Sequence, residues 1–212
     1  YNGLALILKE QGKLDEAMEL HKESLKVYLA SYDDHHLKVA NSYFNMALVL
    51  KEQDKLDESM EMFQRAFIIF KRNKGGDDIS IANTYNHMAT IHGKKGKLNE
   101  AMNLFTKSLG IMRRISDGVE PSIADTLQNI AIIKRQKGKL EESMNLLQES
   151  IDIATKSMGE NHSSVAVGYR NMALVLEKLG KPGHALEFYS RSLDIYIANV
   201  GEKHILVADI YN

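Results

Sequence analysis

Alanine stands at Ala40, Ala82, Ala124, Ala166 and Ala208, each time 42 residues after the last. A fixed spacing of that length means one supersecondary unit stacked on copies of itself, which makes the fold a solenoid. Other columns keep the same phase. A turn signal falls at Gly12, Asp54, Gly96, Gly138 and Gly180, and a second alanine column at Ala5, Ala47, Ala89, Ala131 and Ala173. No insertion breaks the phase. The expected repeats are therefore 1–40, 41–82, 83–124, 125–166 and 167–208, with 209–212 starting another, all in one array over 1–212. The chain begins at Tyr1 inside a repeat and stops four residues into the next, so it reads as an excised fragment.

Each unit divides into two helical patterns. In the first, Tyr1, Leu4, Ala5 and Leu8 fall at i, i+3, i+4 and i+7, one inward apolar stripe. It recurs as Tyr43, Met46, Ala47, Leu50 and as Tyr169, Met172, Ala173, Leu176. The central alanine lets the partner helix approach closely. Glycine ends this helix because it reaches the left-handed cap conformation without a Cβ penalty, and Asp54 should make a weaker cap. The second helix opens on carboxylates that suit the helix dipole, such as Asp57 and Glu58, and its stripe runs Leu56, Ser59, Met60, Phe63, Phe67, Phe70. Asp78, Glu120 and Pro121 mark starts of first helices. Gly110, inside a second helix, should cost about 1 kcal/mol relative to alanine. The fold class expected is all-α, a right-handed superhelical solenoid of antiparallel helix pairs.

Segments such as 'NMALVLEKLGKPGHALEFYSRSL' and 'YNGLALILKEQGKLDEAMELHKESL' resemble tetratricopeptide repeats in their aromatic, Leu-Gly/Ala and Ala…Phe…Ala skeleton. The 42-residue period, with linkers 'GENHSSVA' and 'GEKHILVA', is most similar to the long-repeat subclass typified by kinesin light chain. That subclass usually carries 'G-x-x-H-P' in its linker. Here His162 and His204 keep the histidine without the proline, and Pro121 keeps the proline without the histidine.

If the alanine stripe packs inward, the next face of each first helix stacks into columns along a concave surface. One column reads Gly3, Asn45, His87, Asn129, Asn171, and its neighbour Asn2, Phe44, Asn86, Gln128, Arg170. A third holds Leu6, Leu48, Thr90, Ile132 and Leu174. A carboxamide offers a donor and an acceptor, so an asparagine ladder can clamp peptide backbone whatever its side chains. The resemblance implies the same: 'FNMA', 'QNIA' and 'RNMA' are similar to the kinesin-light-chain 'N-N-L-A' segment, which carries peptide contact to Asn45, Asn129 and Asn171. Gly3 and His87 leave gaps in the ladder. Leu48 and Leu174 supply apolar contact, and Lys51, Lys94, Arg135, Arg170 and Lys178 attract acidic residues. Glu10, Glu52 and Glu177 offset part of that charge. The expected peptide-binding set is thus Asn45, Asn86, Asn129, Asn171, Leu48, Leu174 and those five cations.

The function expected is a protein-interaction scaffold or adaptor that holds a linear peptide of a partner, and a kinesin-light-chain-like cargo role is within what the resemblance implies. Two alternatives stay open: a regulatory or sensor segment of a larger enzyme or signalling protein, and self-association through a terminal repeat. Nucleic acid is not expected, since the formal charge is −1 and phosphate binding needs a basic face. Repeat 83–124 has six basic and three acidic residues against five and seven in 1–40, an asymmetry that would orient an acidic partner. No apolar run approaches the roughly 20 residues of a membrane span. Zero cysteines exclude a disulfide framework and a thiolate metal site, and fit a reducing, cytoplasmic setting. The histidine pairs His35/His36 and His87/His92 lack metal-ligand spacing, and no nucleophile motif or phosphate loop occurs, so neither catalysis nor a cofactor is expected.

Overall fold

A computed structural model describes residues 2–118 and 120–201. Among them lie ten helices and no strand. Helices α1 (Asn2–Glu10), α3 (Leu37–Glu52), α5 (Ile79–Lys94), α7 (Pro121–Gln136) and α9 (Ser163–Lys178) are the first members of five pairs. The second members are α2 (Leu14–Ser31), α4 (Leu56–Lys74), α6 (Leu98–Ile115), α8 (Leu140–Met158) and α10 (Pro182–Val200). The second helices start at positions 14, 56, 98, 140 and 182, so the alanine period of the sequence is the period of the pairs. His204, Ala208, Tyr211, Tyr1 and the segment 209–212 lie outside the described residues. The chain packs as two compact units, Tyr1–Leu104 and Phe105–Asn212, the division falling inside α6.

Each pair is closed by the same three-residue turn. Gly12, Gly96, Gly138 and Gly180 have φ between 69° and 75°. Gly12 N–H donates to Lys9 O and Lys13 N–H to Leu8 O, both at 2.9 Å, the two bonds of a Schellman motif. Asp54 closes the second turn at φ 58°, the one non-glycine residue with positive φ among those described. First helices start where the linkers signal. Asp78 accepts from Ser80 N–H, His36 from Lys38 N–H and His162 from Ser164 N–H. Pro121 opens α7, where its missing N–H costs nothing. The linker histidine His162, and His36 of the His35/His36 pair, are therefore helix caps.

The alanine columns are buried as expected, with Ala47, Ala89, Ala131 and Ala173 fully enclosed. Ser59 and Ser143 take the slot that Ala17, Ala101 and Ala185 fill elsewhere, and each donates its hydroxyl at 2.7 Å to the carbonyl of Ala47 or Ala131 on the paired helix. In the second unit Ser150 and Ser192 do the same at 2.8 Å to Ala124 and Ala166. Buried hydroxyls held this way carry no desolvation debt. Phe63 and Phe70 fill the first unit's core, while Phe67 is half-buried against Tyr85.

One inward assignment needs correction. Leu4 is 55% exposed, although its counterparts Met46 and Met172 are buried. Met46 is covered because α2 lies against it, with Met18 and Ala17 in the same cluster. Among the described residues no helix covers the corresponding side of α1.

A candidate peptide-binding face on the first helices

In the first unit, side chains of successive first helices touch directly. Lys51 Nζ on α3 donates to His87 Nδ1 on α5 at 3.2 Å, Lys9 on α1 pairs with Glu52 at 3.2 Å, and Lys94 with Asp54 at 3.3 Å. The columns read from the sequence are thus physically adjacent within this unit. His87, a gap in the ladder, is an aromatic platform: its ring stacks on Phe63 at 5.3 Å and meets the edge of Phe44 at 5.5 Å. Burial in this aromatic nest, with the charges of Lys51 and Lys9 adding to it, lowers the imidazole pKa to about 3. His87 therefore presents a neutral acceptor, and Lys51 bonds to a group without charge. Burial also lowers the Lys51 ammonium, Glu52 opposing and Lys9 and Lys94 reinforcing that effect.

Asn45 and Asn86, next in sequence to Phe44 and His87, are half-buried. Leu48 packs into the cluster of Ala47, Phe63 and Ile91, and Phe44 packs there too rather than standing open in its column. Lys94 is exposed and is drawn off to Asp54.

In the second unit Asn129, Arg135, Arg170 and Leu174 are half-buried and Lys178 is exposed. Asn171 is only 6% exposed, and its Nδ2 has no hydrogen-bond partner among the described residues. Gln128, its neighbour column's member, is buried and donates to Ser164 O at 2.9 Å, which makes it a brace between α7 and α9. Tyr189 of α10 reaches the first-helix face and donates to Glu177 Oε2 at 3.2 Å. Burial raises its phenol pKa, Glu177 adds to the rise, and the charges of Arg170 and Arg135 oppose it. These two arginines, Glu177 and Tyr189 therefore share one neighbourhood. Reading first-helix columns alone missed Tyr189, because it comes from the second helix; its signal was a polar-tipped aromatic in the slot that holds Phe63 and Phe105 elsewhere.

The described residues hold no group of three His, Cys, Asp or Glu able to bind a metal, and no helix among them is long and apolar enough to cross a membrane.

The tetratricopeptide repeat matches the sequence over residues 1–67, 45–114 and 122–198. The chain belongs to the tetratricopeptide-repeat family. Repeats of this family are protein-interaction scaffolds, generally without catalytic activity, and that coarse role extends to this chain. No curated protein matches the sequence. Solved structures do match in fold. BtubC (BKLC) from P. vanneervenii superposes with a TM-score of 0.78 at 16% identity, covering 92% of this chain and 78% of that one. A protein of nearly identical, kinesin-light-chain-type TPR-like repeats from Podosopora anserina gives 0.73 at 18%, with 94% of both chains covered. MamA gives 0.61 at 12%, covering 93% of this chain and 97% of that one. At such identities the likeness establishes the fold, which is the kinesin-light-chain-like tetratricopeptide array.

Proposed function

We propose that the first-helix face of this tetratricopeptide-repeat protein binds a linear peptide segment of a partner protein, with a preference for acidic residues. The observation that carries the reading is Asn171. A carboxamide donor buried without a partner among the described residues costs roughly 1–3 kcal/mol, and rotation of the Asn171 side chain toward this face would let a peptide carbonyl satisfy it. The acidic preference is supported by Lys51, whose one side-chain hydrogen-bond partner among the described residues is a neutral imidazole, and by Arg135 and Arg170, whose planar guanidinium forks suit a carboxylate. Asn45, Asn86 and Asn129 would hold the backbone, Leu48 and Leu174 an apolar anchor, and Lys94 and Lys178 the rim. A cytoplasmic adaptor that carries cargo, in the manner of the kinesin light chains it resembles, is the physiological setting we propose. A regulatory segment of a larger signalling protein would use the same face.

The test is a fluorescence-anisotropy titration of a synthetic acidic peptide bearing one aromatic or leucine anchor. Asn129→Ala with Asn171→Ala should weaken binding about tenfold to thirtyfold, at about 1 kcal/mol for each hydrogen bond lost. An affinity unmoved by the double substitution sinks the reading. A glutamine-for-glutamate peptide that binds equally well sinks the acidic preference alone.

A further inference from the structure

A second surface of the first unit has the chemistry of a binding groove, and it lies away from the first-helix face. Between α2 and α4 runs an open cavity of about 380 Å³ whose floor includes Met18, Met46, Leu50 and Met62. Ligand pockets span about 300–1,000 Å³, so this groove holds a few side chains and not a folded domain. Methionine floors adapt to differently shaped aliphatic guests. The rim is acidic: Asp15, Glu19, Glu58 and Glu61 stand against Lys22 and Lys55.

The rim charges are only partly compensated. Glu19 is paired with Lys22 and Glu61 with Arg65. Glu58 makes no ion pair among the described residues. Among the described residues Asp15 receives only the neutral amide of Gln53, at 2.7 Å. One repeat further on, the same position as Gln53 is Lys95, which ion-pairs Asp57, the counterpart of Asp15. A glutamine in place of that lysine leaves Asp15 without a cation among the described residues. Gln53 Oε1 is buried and has no hydrogen-bond donor among the described residues.

We infer that this groove docks a basic peptide segment, with one or two leucine, isoleucine or methionine side chains inserted between α2 and α4 and lysine or arginine over Asp15 and Glu58. The aliphatic anchors displace water from the methionine floor, and the cations supply the charge that the rim lacks. The partner differs in charge from the one proposed for the first-helix face, so the two surfaces are separable by experiment.

The test follows the methionine methyl resonances of the whole chain, labelled with ¹³C at the methionine methyls, against two capped octapeptides. Both carry paired leucines, one with lysines and the other with glutamates. The lysine peptide is expected to shift the methyls of Met18, Met46 and Met62 and to lose affinity as salt rises, while the glutamate peptide leaves them still. Glu58→Lys with Asp15→Asn should weaken the lysine peptide on the order of tenfold, because the two uncompensated rim charges are the ones removed. Equal response to both peptides, or silent methyls at these three positions, overturns the inference. Shifts confined to Met88 and Met172 would move the binding to the first-helix face and overturn it as well.

Discussion

Two helical glycines make opposite demands. Gly168 lies inside α9, where an added Cβ would sit 2.5 Å from Ile151 Cγ1 and 3.1 Å from its Cδ1. The same slot in earlier repeats holds Ser42, Thr84 and Thr126, whose hydroxyls bond back to the carbonyls four residues before them. Only in the last repeat does α8 press close enough to forbid any side chain. Gly168→Ala should therefore lower stability by about 1–3 kcal/mol through overpacking, despite alanine's better helix propensity. Pairing it with Ile151→Ala removes the clashing atoms, and the penalty beyond that of Ile151→Ala should vanish. Gly110 is different. A Cβ there meets only Arg114 Nη1 at an ordinary 3.5 Å, so Gly110→Ala should raise stability by up to about 1 kcal/mol. Denaturant midpoints of the variants check both signs, and a stabilising Gly168→Ala would refute the packing account.

At the level of the helix pair, the turn is the repeated device, and one copy is imperfect. Asp54 holds φ 58° where four turns use glycine, a strain that side chains tolerate at a cost of about 1 kcal/mol. Asp54→Gly removes it and forfeits only the exposed pair with Lys94, worth about 0–1 kcal/mol. The variant should match the wild type or gain up to about 1 kcal/mol in chemical denaturation, and a loss would mean that the Lys94 pair outweighs the strain. This element was legible in advance because glycine's conformational freedom is a property of the residue itself. So were the alanine columns, since a 42-residue period fixes which positions must be small. Lateral contacts were not legible. That Lys51 would lean on His87 depends on how far one pair is displaced on the next, and that Tyr189 would reach Glu177 depends on how the two helices of one pair cross; periodicity encodes neither. Nor did the sequence tell that Leu4, in a core slot by phase, would lack the neighbour that covers Met46. A column position is a statement about one helix; burial is a statement about its neighbours.

For the molecule as a whole, two histidines tie stability to pH, and both belong to the first unit. His21 occupies the α2 slot that holds Phe63 in α4, is 1% exposed, and leaves its Nδ1 without a partner among the described residues. Burial, assisted by the charge of Lys9, lowers its pKa. His87 lies in its aromatic nest with a pKa of about 3, facing Lys51 and Lys9. Both groups bind protons less readily folded than unfolded. As pH falls below about 6.5 the unfolded chain takes up protons that the native state refuses, and stability drops. For His87 alone the loss by pH 5 is about 2 kcal/mol, because each pH unit between the unfolded and folded values costs about 1.4 kcal/mol. Hydrogen exchange compared at pH 7 and pH 5, corrected for intrinsic rates, should show protection falling in α2 through α5 ahead of α7 through α10. His87→Asn replaces the imidazole with the carboxamide found at Asn45 and Asn129, keeps an acceptor for Lys51, and has nothing to titrate. His21→Phe restores the hydrophobic occupant of the equivalent slot. Together they should flatten the dependence between pH 7 and 5, and a double variant that loses protection as steeply as the wild type would place the acid sensitivity in other groups.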